Sequence, residues 1–191
     1  NTKSCQIKDL HQILEQTVKM YYKTTLDVNQ AYLSLETSPC SLKYFNIICE
    51  EGSFKQLRRP MGYAGAPAFF NDRLNAAINS EPQLDHITKE GTKVYKRDNE
   101  GLPLLAPDKI DNCHVFYDDL IVGSPKGDTI EQSIKIHFSL LEKIFTRLAF
   151  HKVILDYNKC VFFKEKLNFL GHELGPGRQI RPTEARIAQL R

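Results

Sequence analysis

Apolar and polar positions follow two different periods along the chain, and together these periods predict an α+β fold. Short runs rich in β-branched and aromatic residues predict strands over residues 24–28, in a hairpin over residues 42–58, and on both sides of Asp118-Asp119. Steps of three and four residues between apolar side chains, the spacing of one helical face, predict helices between these strands.

Three segments carry the helical spacing. The first covers residues 4–21, with Ser4 as a candidate N-cap, and the second covers residues 67–78, with Pro67 in its first turn. The third begins at a capping-box-like pair, Asp128 and Glu131. One apolar stripe of this third helix should face the core, and it consists of Ile134, Phe138, Leu141, Phe145 and Leu148.

Residues 80–112 differ from the rest of the chain because they are polar and show no period. Gly91, Pro103 and Pro107 interrupt them. We expect a long surface insertion here, with a short hairpin formed by residues 93–95 and 102–104.

Small residues precede the second predicted helix, where Pro60, Gly62 and Gly65 keep the chain out of regular structure. Such a segment lets a ligand, for instance a nucleotide sugar or base, approach the backbone closely. An ordinary junction between a loop and a helix explains the same residues.

Candidate chemistry lies in the hairpin that carries Asp118 and Asp119. Neighbouring carboxylates repel each other, so they need a cation or a shared proton. Two hard oxygen ligands on a rigid turn suit Mg²⁺, which takes one or two carboxylates together with substrate phosphates. For an isolated Asp-Asp pair, a solvated turn is the commoner explanation. Asp27, at the end of a predicted strand, is likewise a metal ligand or a simple turn residue.

Composition narrows the function classes only a little. The 191 residues suffice for one sizeable domain or two small lobes, and the net charge of +3 does not by itself require a nucleic-acid partner. Five scattered cysteines without a Cys-x-x-Cys pair argue against a zinc site and disulfides, and for a reducing compartment. No apolar run is long enough to span a bilayer, so no membrane partner is expected. Because residue 1 is Asn, we expect a fragment of a longer polypeptide.

The order of five segments resembles the reverse transcriptase domain of long-terminal-repeat retrotransposons, most closely the Ty3/gypsy group. The resemblance covers nearly the whole chain except residues 80–112. The matching segments, in chain order, are Leu26-Asp27-Val28-Asn29-Gln30-Ala31-Tyr32, residues 59–70, Phe116-Tyr117-Asp118-Asp119, residues 158–163 and Phe169-Leu170-Gly171-His172. The resemblance implies a right-hand polymerase palm, an antiparallel sheet backed by helices, with part of the fingers. The rest of the fingers would precede residue 1 and the thumb would follow residue 191.

The resemblance also implies a two-metal site for nucleotidyl transfer. Asp27 and Asp118 would bridge two Mg²⁺ ions, with Mn²⁺ as a substitute, and Asp119 would complete the shell of the ion that activates the primer 3′-hydroxyl. The carbonyl of Val28 would be a further ligand.

The resemblance further implies residues that bind the nucleotide and the primer. Backbone N–H groups of Gln30 and Ala31 would face the triphosphate, and Tyr32 would stack under the sugar and exclude a 2′-hydroxyl, although core packing alone would explain that ring. Met61 and Gly62 would line the incoming nucleotide. Lys159 would donate a proton to pyrophosphate or simply bind phosphate. The primer end would be held by Phe169, Leu170 and Gly171.

Three departures from the family pattern bear on function. Phe116 stands where the family usually has Tyr, Asn71 replaces a common Gln, and residues 80–112 lengthen the interval between Asp27 and Asp118. Because all three aspartates are present, an intact site is the favoured interpretation. A non-catalytic descendant that binds nucleic acid is the alternative. A group II intron type of palm polymerase is a third option, against which the segment 169–172 argues.

The predicted function is that of an RNA-directed DNA polymerase within a retrotransposon Pol polyprotein. Its partners would be dNTPs, a primed RNA or DNA template, and neighbouring protease, ribonuclease H and integrase modules. Its location would be the cytoplasm, with a virus-like particle as one setting. The host, the template preference and the oligomeric state leave no trace in the sequence.

Overall fold

The computed structural model describes residues 9–60, 62–63, 65–176 and 179–189, and they form an α+β fold. The helices are α1 (Leu10–Thr17), α2 (Ala66–Ile78), α3 (Ile130–Phe150) and α4 (Glu184–Gln189). The strands are β1 (Tyr22–Asp27), β2 (Asn46–Cys49), β3 (Gly52–Lys55), β4 (Ser80–Pro82), β5 (Leu84–Ile87), β6 (Lys93–Tyr95), β7 (Leu105–Pro107), β8 (Cys113–Phe116), β9 (Asp119–Ser124), β10 (Val161–Lys164), β11 (Leu167–Phe169), β12 (His172–Leu174) and β13 (Ile180–Pro182).

The central antiparallel sheet has the strand order β10-β1-β9-β8 and is covered on both faces. On one face, Leu120 and Val122 of β9 pack with α2 and α3. On the other face, Ile121 packs with α1 and with the small sheet β11-β12-β13. Alternate residues of β9 therefore enter two different cores, which explains why this strand is apolar at successive positions.

The first helix is shorter than predicted. The described part begins at the N-cap Asp9, and the predicted start at Ser4 lies outside the described residues. The helix ends at Thr17 rather than at residue 21, because the chain turns and the N–H of Tyr21 donates to the carbonyl of Ser124 at the end of β9. Sheet pairing thus takes over residues that continue the helical spacing.

Helix α3 turns a different face to the core from the one predicted. Leu141 and Leu148 are buried as expected, but Ile134, Phe138 and Phe145 are exposed, with Phe138 exposed by 60%. The buried positions also include His137, which hydrogen-bonds Thr24 and Ser124, and Arg147. Polar side chains with partners inside the fold have rotated the buried face away from the purely apolar stripe.

The start of α3 also corrects a prediction. Its N-cap is Thr129, whose hydroxyl accepts from the N–H of Gln132, and the Gln132 side chain accepts in return from the N–H of Asp128. The capping pair is therefore Thr129 and Gln132, and not Asp128 and Glu131, because only the former register places both side chains at the helix start.

Pairing in the outer segments agrees with one prediction and corrects another. The predicted hairpin is present as β2–β3, although Leu42–Tyr44 forms a short 3₁₀ turn instead of a strand. Strand β6 pairs with β5, and β4 pairs with β7. The hairpin predicted within residues 80–112 is present but shifted, because residues 102–104 pair with residues 96–98 and not with residues 93–95. Within the described residues, no helix has the length and apolar character needed to cross a membrane.

Candidate active site

Three carboxylates meet at one end of the central sheet. Asp27 is the last residue of β1, and its pairing partner across the strands is Asp119, the first residue of β9. Asp118 occupies the two-residue turn between β8 and β9 together with Tyr117. Tyr117 has a φ of 58°, a conformation that is strained for a bulky residue and that tight hairpins require at their first turn position. Ladder pairing and the turn together place the acids side by side.

The electrostatics of this cluster are those of a site short of positive charge. Burial, then the charges of Asp118 and Asp27, raise the pKa of Asp119 from 3.8 to about 6, while Lys159 opposes the shift. The Lys159 ammonium lies 3.5 Å from Asp27 Oδ2. The cluster therefore already attracts one cation from the protein itself.

The side chains of this cluster do not complete the coordination shell of a divalent metal ion by themselves. Across the described ranges, no three Asp, Glu, His or Cys side chains are arranged to hold an ion by themselves. Mg²⁺ commonly takes one or two carboxylates and completes its shell with water and substrate phosphates. The three carboxylates supply the oxygen donors that this mode of binding needs, while the Lys159 ammonium occupies one side of Asp27.

Two residues that were not predicted to belong to the site fix the backbone of Asp27, and one of them, Cys160, lies within the matched segment 158–163. The Asp27 N–H donates to Cys160 Sγ at 3.4 Å, and the Asp27 carbonyl accepts from the N–H of Asp156 at 2.9 Å. Asp156 lies 129 positions further along the chain in the sequence, so local spacing gives no sign of the contact. The nearest sequence signal is the matched segment 158–163, which follows directly.

The predicted nucleotide segment follows β1. Val28 is buried and bridges Leu155, Ala31 is buried, and Gln30 is exposed with a φ of 48°. The Tyr32 ring lies edge-on to Phe70 at 6.0 Å. Burial, followed by the charge of Asp118, raises the pKa of the Tyr32 hydroxyl. Tyr32 therefore packs on the core and also lies near the acid cluster.

A cavity of about 630 Å³ adjoins this segment and was not predicted from the sequence. Asn29 and Gln30 line one part of it, and Arg58, Arg73 and Lys152 contribute cationic side chains. These residues come from distant parts of the chain, so only the fold reveals the cavity.

The predicted loop before α2 is only partly described. Gly62 has a φ of 89° with open space where a side chain would stand, and Met61 lies outside the described residues. The Arg59 guanidinium stacks over the Phe69 ring at 3.9 Å, which ties the loop to α2.

The predicted primer-binding residues form a second tight hairpin. Leu170 and Gly171, with φ of 48° and 74°, form the two-residue turn between β11 and β12, and such a turn requires positive φ at both positions. Arg186 of α4 donates to the Leu170 carbonyl at 3.1 Å. Phe169 is buried in the core that also contacts Phe116, so the two hairpins share one packing unit.

Known proteins resemble this chain in sequence. A family model described as "Reverse transcriptase (RNA-dependent DNA polymerase)" matches residues 1–174. The retrovirus-related Pol polyprotein from transposon 297 of Drosophila melanogaster is 26% identical over 95% of the chain and 14% of its own length. The enzymatic polyprotein of Figwort mosaic virus (strain DxS) is 23% identical over 81% of the chain and 18% of its own length. The chain thus spans less than a fifth of these relatives. The matches confirm the predicted resemblance to retrotransposon reverse transcriptase domains.

Solved structures resemble the fold. The structure of the foamy viral protease-reverse transcriptase dRH in complex with dsDNA matches all of this chain with a TM-score of 0.74 at 17% identity, over 27% of the foamy viral chain. The same protein in complex with an RNA/DNA hybrid gives a TM-score of 0.69 at 18% identity, over 98% of this chain and 21% of that one. At these identities the likeness establishes the fold, which is the predicted polymerase palm.

Proposed function

Because the chain belongs to the reverse transcriptase family, we propose that it carries out RNA-directed DNA synthesis, adding deoxynucleotides to a primer 3′-hydroxyl on an RNA or DNA template. The observation that supports this proposal is the meeting of Asp27, Asp118 and Asp119 at one sheet end, where burial and then the charges of the other two acids raise the pKa of Asp119. Phosphoryl transfer depends on positioning and on charge neutralisation, and it needs no protein nucleophile.

The acids would hold the metal ions. Asp27 and Asp118 would contact both ions, Asp119 would complete one shell, and the Val28 carbonyl would be an additional ligand. Bound Mg²⁺, or Mn²⁺ in its place, would neutralise charge on the triphosphate and activate the 3′-hydroxyl. The turn at Tyr117 holds Asp118 against the strand end, so that the acids are in place before substrate arrives.

The remaining residues would bind substrate. Backbone N–H groups of Gln30 and Ala31 would face the triphosphate. Tyr32, fixed by its contact with Phe70, would lie under the sugar and exclude a 2′-hydroxyl. Met61 and Gly62 would line the nucleotide, and Lys159 would protonate or bind the departing pyrophosphate. The turn of Leu170 and Gly171, with Phe169 beneath it, would hold the primer end.

The setting would be a Pol polyprotein, since the matching relatives include one from a transposon. Protease, ribonuclease H and integrase modules would then be neighbours in the same polyprotein. The thiols of Cys40, Cys49 and Cys160 support a reducing, cytoplasmic location, including a particle assembled there.

Primer extension tests the proposal. The chain, alone and together with its flanking polypeptide, is supplied with a primed RNA template, dNTPs and Mg²⁺ or Mn²⁺, and Asp118→Asn is assayed in parallel. Asp128→Asn, an exposed aspartate outside the cluster, is the matched control. Synthesis that Asp118→Asn abolishes and Asp128→Asn preserves supports the polymerase. A folded wild type that binds template and synthesises nothing would instead indicate the non-catalytic descendant.

A further inference from the structure

Lys159 lies between two carboxylates of different kinds. Its ammonium nitrogen is 3.5 Å from Asp27 Oδ2 and 3.6 Å from Asp156 Oδ2. Asp27 belongs to the acid cluster, whereas Asp156 stands outside it. Because the two distances are nearly equal, a small rotation of the lysine side chain transfers its charge from one acid to the other.

The fold fixes this arrangement from both sides of Asp27. The Asp156 N–H donates to the Asp27 carbonyl, and the Asp27 N–H donates to Cys160 Sγ. Asp156 also caps the short turn Tyr157–Lys159, since its side chain accepts from the Asn158 N–H and its carbonyl accepts from the Lys159 N–H at 3.1 Å. The turn that carries Lys159 is therefore docked directly on the backbone of a cluster acid.

Without a metal ion, three carboxylates face each other with too little positive charge. An ammonium group beside Asp27 partly neutralises them, and the same group would repel a divalent cation that arrived there. Metal binding would thus require the ammonium to leave Asp27. Asp156 provides the nearest destination, because it already contacts the same nitrogen.

We propose that Lys159 is the resident counter-ion of the acid cluster in the metal-free protein, and that Asp156 is the positioning residue that takes over its ammonium when a divalent cation binds. This inference rests on the proposed function, which assigns the cation to Asp27, Asp118 and Asp119. The site would then exchange one cation for another, and its metal affinity would reflect both contacts of Lys159.

Titration with Mn²⁺ alone, with free Mn²⁺ followed by electron paramagnetic resonance and neither nucleotide nor template present, tests the exchange. Lys159→Met should tighten Mn²⁺ binding about three- to tenfold, because no ammonium has to be displaced. Asp156→Asn should weaken it about two- to fivefold, because the ammonium loses its alternative partner and stays on Asp27. The two substitutions therefore act in opposite directions.

A double variant separates the exchange of the Lys159 ammonium for a metal ion from a direct effect of the Asp156 charge on that ion. In the Lys159→Met background, Asp156→Asn should no longer change Mn²⁺ affinity, because its effect passes through the ammonium. The matched controls are Lys166→Met and Glu173→Gln, the two partners of another exposed ion pair at 2.9 Å, which should leave Mn²⁺ binding unchanged.

Each contrary outcome has a definite meaning. Unchanged Mn²⁺ affinity in Lys159→Met overturns the counter-ion role, and an equal loss from Asp156→Asn with and without Lys159 overturns the positioning role. Both leave the polymerase proposal standing if the wild type binds Mn²⁺ and Asp27→Asn does not. A wild type that binds no more Mn²⁺ than Asp27→Asn overturns the inference and the metal site together.

Discussion

Two clusters of charged side chains in this molecule are built in opposite ways. Around Arg147, which is 1% exposed, one guanidinium donates to the carbonyls of Ile78 and Asp108 and to the Asp108 carboxylate, which also contacts Lys143. At the end of the central sheet, three aspartates lie together, and one of them, Asp27, pairs with Lys159, whose side chain is 66% exposed. The first cluster balances two cations with two acids, since Glu81 also lies 3.9 Å from Arg147, whereas the second has more acids than cations.

The pKa shifts express the same difference. A hydrogen bond from Lys143, and then the charge of Arg147, lower the pKa of Asp108, whereas burial and neighbouring acids raise that of Asp119 to about 6. A cluster whose charges are matched within the protein joins chain segments and needs no ligand. A cluster with unmatched acids requires a cation from outside, which makes it a candidate for function.

Replacement of Arg147 by Met should have the largest effect on stability. It would leave the Ile78 carbonyl without its buried donor, and an unsatisfied buried acceptor costs about 1–3 kcal/mol. The free energy of unfolding, measured with urea, should fall accordingly. Arg97→Met, which removes a surface guanidinium that donates to the nearby Gly101 carbonyl, is the control. Equal losses in both variants would contradict the assignment of Arg147 as the central structural residue.

Asp118→Asn should lower activity and leave stability intact, which is the reverse of the effect expected for Arg147→Met. Loss of a charge-positioning group typically lowers turnover about 10²–10³-fold, so primer extension should fall by at least this factor. The free energy of unfolding of the metal-free protein should stay the same or rise, because one of three repelling acids is removed. A large loss of stability in this variant would mean that the acid cluster, like the Arg147 cluster, is structural.

The sequence predicted these two clusters with unequal success. The Asp118-Asp119 hairpin and Asp27 follow from local apolar runs and from short motifs, which record backbone geometry within a few residues. The Arg147 cluster joins positions 39 residues apart, and His137 of α3 contacts Thr24 across 113 residues. No local period registers such contacts, so the buried face of α3 was predicted wrongly. The contact of Lys159 with Asp27 escaped prediction for the same reason.

Lower pH should affect the two clusters with opposite signs. Between about pH 4 and 6 the folded, metal-free protein keeps a proton on Asp119 that the unfolded chain has released, so this group makes stability fall as pH rises through that range. The pKa of Asp108 is lower in the folded protein than in the unfolded chain. Its contribution to stability is therefore present above the unfolded pKa and is lost as pH falls through the folded pKa.

Urea unfolding in EDTA at several pH values measures both signs. Asp119→Asn should be more stable than the wild type above pH 6, and the difference should shrink towards pH 4. Asp128→Asn again serves as the control. Parallel pH profiles for Asp119→Asn and the wild type would show that Asp119 is not perturbed by its neighbours.

Lys143→Met gives the smallest expected effect and sharpens the comparison most. Lys143 is the leading cause of the lowered Asp108 pKa, yet its side chain is 41% exposed, so solvent screens its contribution to stability. We expect a loss below about 1 kcal/mol in urea unfolding, together with an upward shift of the Asp108 pKa that carboxylate NMR would record. Arg147 would then stabilise the cluster through buried hydrogen bonds to backbone carbonyls, while Lys143 would set the titration of its acid. A loss as large as that of Arg147→Met would instead mean that the exposed ion pair, and not the buried guanidinium, holds the segment around Asp108 to α3.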